Sequence, residues 1–365
     1  MKIKVTIGLF VIAAASIIFA KTQYSLLTTD LLTASAVPPQ TEGFSTPVYA
    51  LGGYTGTGTL NDVFSTRDMQ SWNLISAHNA QSTTKWSPRM NPNIVYAGNV
   101  YWLIGTGYWN SPSNNVNSPH DVWGSRDGVR WRLMTSNPPF NNYYGPFTTD
   151  FANYYEYHAA AIGSRLYVVG GKPGNNNKAV VWTSTDGINW TQLTEAAPFE
   201  TRVGFSLVSF NNKLYVIGGR YAMNSYGNSG IWSSSDGTNW TLVTANPAFG
   251  KYLSFSKALV YNNKLWILGG VVQTIDAGIN TPNIWNSTDG VTWSLVSNTL
   301  PGDSEYTNFA LRDAVVAGGK IWTGNALTPT SNVSKLWSST DGVTWTQSPT
   351  TPAWSGRSGY KFITR

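Results

Sequence analysis

A ten-residue phrase, apolar-Trp-x-Ser-x-Asp-Gly-x-x-Trp, recurs down this chain at residues 181–190, 231–240, 284–293 and 336–345. Residues 122–131 are a close relative, with Arg126 ahead of Asp127-Gly128. Residues 63–72 are a decayed copy, with Phe64 in place of the first Trp and Met69 in place of Gly. The closing tryptophans fall at positions 72, 131, 190, 240, 293 and 345. Spacing of that size, built only from strand and turn signals, predicts a propeller or a β-array. It constrains architecture strongly and chemistry hardly at all.

A second phrase precedes each copy. Leu166-Tyr167-Val168-Val169-Gly170-Gly171 is matched at 214–219, 265–270 and 48–53, with degraded forms at 101–105 and 321–324. A short β-branched and aromatic run ending in glycine reads as a strand stopped by a turn. Tight-turn signals stand before four of these runs: Asn211-Asn212, Asn262-Asn263, Gly98-Asn99 and Gly318-Gly319. Asn and Gly accept the positive φ that short hairpins require. Another alternating run precedes the turn, as at 205–210. One repeat is therefore a four-stranded antiparallel meander, a to d. Strand c carries the first Trp, Asp-Gly makes the c–d turn, and the second Trp opens strand d.

The order of these elements resembles the kelch repeat, from about residue 46 to the end. Pro88-Arg89, Arg202-Val203-Gly204 and Arg357-Ser358-Gly359 match the start of strand a in that family. Tyr157-His158, Lys251-Tyr252 and Glu305-Tyr306 depart from it. The Asp-Gly phrase is similar to the Asp-box of sialidases but has one residue fewer before Trp, so it reads as a look-alike turn. The resemblance implies an all-β, six-bladed kelch-type β-propeller with four-stranded antiparallel blades. The first repeat begins at strand b, and residues 357–363 read as an orphan strand a. The C-terminal strand is thus expected to complete the first blade and remove an open sheet edge. Fold alone does not give function, because propellers host binding proteins and enzymes alike.

Seventeen Trp and nineteen Tyr are in excess, but Trp123, Trp182, Trp232, Trp285 and Trp337 share one repeat position, which argues packing between blades. The chain has no cysteine. That excludes disulfides, thiolate metal sites and a cysteine nucleophile. It also excludes the Tyr–Cys crosslink implied by a resemblance to galactose-oxidase-like copper enzymes. No metal-ligand spacing and no phosphate loop is present, so neither metal nor cofactor is expected. Charged residues make up 12% of the chain, below the usual share of about a quarter, and no Lys/Arg run occurs. Nucleic-acid binding is therefore not indicated.

Met1-Lys2-Ile3-Lys4 and the apolar stretch at 5–20 read as a signal peptide or N-terminal anchor over residues 1–20. Residues 21–45 read as a linker and residues 46–365 as the propeller. Export is expected, to a secreted, periplasmic or cell-surface location, as a monomer with no membrane span beyond such an anchor.

In a meander, b–c and d–a connections share one face. They are long and unlike one another here: 106–120, 172–178, 220–230, 271–283 and 136–155. Long connections on a rigid scaffold are where binding residues concentrate. The expected ligand-binding set is Arg89, Arg202 and Arg357 converging on the central mouth, with Tyr108, Trp109, Tyr143, Tyr144, Tyr155, His158 and Arg220 around it. Guanidinium suits carboxylates, and flat rings with amides suit sugars. The leading expectation is a non-catalytic module for a glycan or an extracellular protein. The alternative is a sugar-active enzyme, a mutarotase, epimerase or hydrolase. A resemblance to kelch-type sialic-acid mutarotases would make Glu156 or Glu305 the proton-transfer group and Arg202 the carboxylate clamp.

Overall fold

The computed structural model describes residues 43–55, 57–78, 85–105, 120–140, 156–170, 178–220, 230–250, 252–273, 278–301, 313–324, 335–354 and 356–365. Among them are six four-stranded antiparallel sheets. The second is Asn93–Ala97, Val100–Ile104, Val122–Ser125 and Arg132–Thr135, as strands a to d. The third is Tyr157–Ile162, Arg165–Gly170, Val180–Ser184 and Thr191–Thr194. The fourth is Val203–Phe210, Lys213–Arg220, Ile231–Ser234 and Thr241–Thr244. The fifth is Lys257–Tyr261, Lys264–Leu268, Ile284–Ser287 and Ser294–Ser297. The sixth is Asp313–Ala317, Lys320–Gly324, Leu336–Ser339 and Thr346–Gln347.

The first sheet joins Val48–Tyr54, Thr59–Thr66 and Asn73–Ser76 to Lys361–Ile363 from the far end of the chain. Tyr49, Ala50 and Leu51 pair with Ile363, Phe362 and Lys361. The continuous pairing is shorter than the 357–363 expected, because Arg357 turns inward and only Ser358 bridges back, to Tyr54. Each strand a touches the strand a of the next sheet, and the sixth touches the Lys361–Ile363 strand of the first. Strand a is thus the inner strand of a β-propeller.

The recurrent phrase builds one turn. In the third blade the Ser184 hydroxyl accepts from the Gly187 amide at 2.9 Å. Asp186 Oδ1 accepts from the amides of Ile188 and Asn189 at 2.9 and 2.8 Å. Trp190 Nε1 donates to the Gly187 carbonyl at 3.1 Å. Asp and Ser thereby satisfy amides that a tight turn leaves without strand partners. Gly187 adopts a φ of 69° and lies against the indole of Trp102 in the preceding blade. The same approach joins Gly237 to Tyr167, Gly290 to Tyr215 and Gly342 to Trp266. At the first blade Met69, with a φ of 60°, holds the glycine position and shares a buried cluster with Trp322 of the sixth. The aromatic of strand b and the c–d turn therefore form the repeated joint between neighbours.

One connection differs from expectation. Residues 271–283 were expected to be an irregular b–c loop. Val271–Gln273 and Gly278–Asn280 instead pair as a hairpin that adds to Leu253–Ser254, giving a separate three-stranded sheet. The run Val271-Val272 and Ile279 supply the β-branched residues that favour it.

Candidate functional site

The inner strands place one residue per blade at a single register. Opposite the last strand-b residue before its glycine stand Lys361 (facing Leu51), Asn93 (Ile104), His158 (Val169), Ser206 (Ile217) and Lys257 (Leu268). In the sixth blade the equivalent pair is Asp313 and Gly324. All six are polar in a position flanked by apolar core. Each strand a begins at this register or within three residues of it, so the ring lies at the end of the axis that the d–a and b–c connections enter. A cavity of about 120 Å³ opens there, lined among others by Asn91, Asn93, Glu156, His158, Lys257 and Lys361. Liquid water occupies about 30 Å³ per molecule, so the space suits a few waters or one small polar group.

Much of the ring is tied to its neighbours. Lys257 Nζ donates to Asp313 Oδ1, and the Phe362 amide donates to Asp313 Oδ2 at 2.6 Å. Lys361 Nζ stands farther away, 3.9 Å from Asp313 Oδ1. Asn93 donates to the Tyr157 carbonyl at 3.2 Å and accepts from the Ala159 amide at 3.3 Å. The Ser206 hydroxyl donates to the Ser256 carbonyl at 2.7 Å. Glu156 accepts from the Gly204 amide through Oε2, while His158 Nε2 sits 3.0 Å from its Oε1 without hydrogen-bond alignment. The His158 ring meets Phe205 edge-on, with centroids 4.5 Å apart.

Two residues of the cavity wall keep donor capacity that no close protein acceptor uses. Asn91 is 5% exposed, and its Nδ2 has no hydrogen-bond partner. A buried amide left so is costly, and native structures rarely keep one without cause. The Lys361 ammonium sits deep among protein atoms although 26% of its side chain remains exposed. Burial pushes its pKa down, with Lys257 adding to the effect and Asp313 opposing it.

The chain enters the ring through left-handed backbone. Gly359, Asn91, Gly204 and Phe255 each lie two residues before a ring residue, with φ of 61°, 48°, 69° and 56°. Amide-to-carbonyl bonds of 2.7 Å join Asn91 to Gly359 and Phe255 to Gly204. For a residue as bulky as Phe255 this conformation is strained, and such strain collects at functional sites.

The arginines have a different place from the one expected. Arg89, Arg202 and Arg357 are buried against their own blades rather than displayed at the mouth. Each lies four residues before a ring residue and reaches the glycine carbonyl at the end of strand b. Arg202 Nη1 donates to the carbonyls of Gly218 and Gly230 at 3.0 and 2.9 Å. Arg357 donates to Gly52 at 3.2 Å and pairs with Asp62 through both oxygens, at 2.5 and 3.0 Å. Arg89 pairs likewise with Asp121, at 2.7 and 3.2 Å, and approaches the Gly105 carbonyl at 3.4 Å. Burial, partly offset by Glu200, brings the Arg202 pKa down to about 10, so it stays cationic at neutral pH. Arg220 stacks its guanidinium 5.5 Å over the Phe255 ring. Glu156 and His158 line the cavity. Tyr108, Trp109, Tyr143, Tyr144, Tyr155 and Glu305 lie outside the described residues.

Sequence reasoning missed Asn91, Asn93, Ser206, Lys257, Asp313 and Lys361. The signal was present in two blades as Arg-x-Gly-x-polar: Arg202 to Ser206 and Arg357 to Lys361. Among the described residues no group of three or more His, Cys, Asp or Glu side chains is placed to hold a metal ion.

Residues 146–253 match the family described as the DUF6242 beta propeller domain. That stretch spans the third and fourth blades and agrees with the architecture. A comparison with curated proteins gives no match.

Proposed function

We propose that the chain is an exported propeller of the kelch kind that serves as a non-catalytic binding module. Its ligand is a glycan or an extracellular protein, one group of which enters the axial cavity. The reading is carried by the ring itself: six blades contribute Lys361, Asn93, His158, Ser206, Lys257 and Asp313 at one register, beside the unpartnered Asn91 amide. Packing alone would place apolar residues there. The sequence of the b–c and d–a connections includes Tyr108, Trp109, Tyr143 and Tyr144, residue types that suit a larger contact. The N-terminal basic and apolar segments support export to a secreted, periplasmic or surface location.

The test is a glycan array run beside a pull-down, using the native propeller and His158→Ala. A ligand returned by either assay should bind the variant at least tenfold more weakly. Unchanged binding to a folded His158→Ala protein would remove the axial cavity from the reading.

One contact favours a second reading. Glu156 and His158 stand together in the cavity, an arrangement able to pass a proton to a bound sugar. In that case Glu156→Gln would abolish anomer interconversion or bond cleavage while leaving binding intact.

A further inference from the structure

We propose that the group seated in the axial cavity is a carboxylate, held by Lys361 with Lys257, His158 and Asn91 around it. This rests on the binding-module reading and narrows it to a ligand chemistry.

The first support is an imbalance between donors and acceptors. Both oxygens of Asp313 and one of Glu156 already accept from protein donors, as does the Asn93 side-chain carbonyl. The other Glu156 oxygen faces His158. Asn91 Nδ2 has no acceptor, and Lys361 Nζ reaches its nearest carboxylate oxygen only at 3.9 Å. An ammonium offers three donors and an amide nitrogen two. An acceptor-only ligand group completes this set, whereas a hydroxyl or an amide would bring further donors.

The second support is charge. Of the residues that line the cavity Lys257 and Lys361 are cationic and Glu156 is anionic, with Asp313 behind them paired to Lys257. A monoanion gains the near lysine without overloading the site. A phosphate dianion would meet both acids at close quarters, where like charges repel strongly. The third support is size: about 120 Å³ accommodates a carboxylate and its first carbon atoms. The ligand body would stay outside, at the face of the long connections.

Titration calorimetry with acetate, acetamide and inorganic phosphate tests this on the full propeller. Acetate should bind, with acetamide and phosphate roughly tenfold or more weaker, since a charge-assisted hydrogen bond contributes more than a neutral one. Lys361→Met should weaken acetate by roughly tenfold or more. Because Lys361 also opens the closing strand, Lys257→Met provides a second variant, checked for native circular dichroism, with a smaller loss in the same direction. A hexuronic acid and a short peptide with a free C-terminus, each against its amide, then separate the sources of the carboxylate. Equal binding of acetate and acetamide overturns the proposal, and so does acetate binding that both lysine variants leave intact. Failure of every carboxylate, with a neutral array ligand still lost in His158→Ala, overturns the carboxylate alone and leaves the binding module standing.

Discussion

Gly128 in the second blade lies against the phenol ring of Tyr49 in the first, so that a β-carbon there would stand 2.7 Å from two ring carbons. The Tyr49 hydroxyl donates to the Asp127 carbonyl beside it at 2.5 Å. The joint between blades is thus a glycine pressed on an aromatic, and its φ of 73° independently favours glycine. Gly128→Ala should destabilise the protein by about 2–3 kcal/mol in urea unfolding, combining overpacking with backbone strain. Gly163 supplies the control. It has a φ of 60° but nothing within 4 Å of an added β-carbon, so Gly163→Ala should cost about 1 kcal/mol. Equal costs would mean that the aromatic contact contributes little.

Arg89 clamps the start of strand a to the ends of strands b and c through Asp121 and Gly105. Its side chain is fully buried. Arg89→Met leaves the Asp121 carboxylate without its partner and should cost about 3 kcal/mol or more. The folded variant should bind ligand as the native protein does. A large loss of affinity at unchanged stability would instead place Arg89 in the binding site.

The strand-b glycine runs and the Asp-Gly phrase were legible because each does a local job: stopping a strand, turning the chain, meeting a neighbour's ring. The meander and the return of the C-terminal segment to the first blade, expected over 357–363 and paired over 361–363, followed from them. The ring did not. Its members are Lys, Asn, His, Ser, Lys and Asp, chemically unlike and aligned only by register. No local signal links Lys257 to Asp313, which stand 56 residues apart on the inner strands of neighbouring blades. Arg89, Arg202 and Arg357 looked like ligand clamps because guanidinium suits both roles. Only burial beside Gly105, Gly218 and Gly52 separates a blade clamp from a displayed cation.

Acid should loosen the turns. At Asp236 partial burial raises the pKa, but the amides of Asn239 and Thr238, the Asn239 side chain and Ser234 outweigh it and bring the carboxyl to about 2. Amide bonds, those from Thr292 and Val291 foremost, hold Asp289 below its usual range too. Asp186 and Asp341 are lowered in the same way. A carboxyl depressed in the folded state stabilises above its unfolded pKa, about 4, and loses that contribution as pH falls through the folded value. Urea midpoints should hold from pH 7 to about 5 and then fall steeply toward pH 2. Replacing Asp236 and Asp289 by Asn should lower stability at neutral pH and flatten the acid slope. An unaltered slope would show that other carboxyls govern it.

Phe362 of the closing strand is buried with Trp354, Tyr360 and Val48. A chain ended at Gly356 loses Tyr360 and Phe362 from that cluster and the Lys361 to Ile363 pairing with the first blade. It should melt broadly and at lower temperature, by calorimetry, than the full chain. A single sharp transition at the native temperature would show that the strand is dispensable.

The most direct test of the axial site is a crystal structure of the propeller with a ligand returned by the array or the pull-down. Electron density for one ligand group inside the cavity, within hydrogen-bond distance of Lys361, is the expected result. A ligand bound on the outer strands, or on the face of the short a–b and c–d turns, with the axial cavity unchanged, would contradict it.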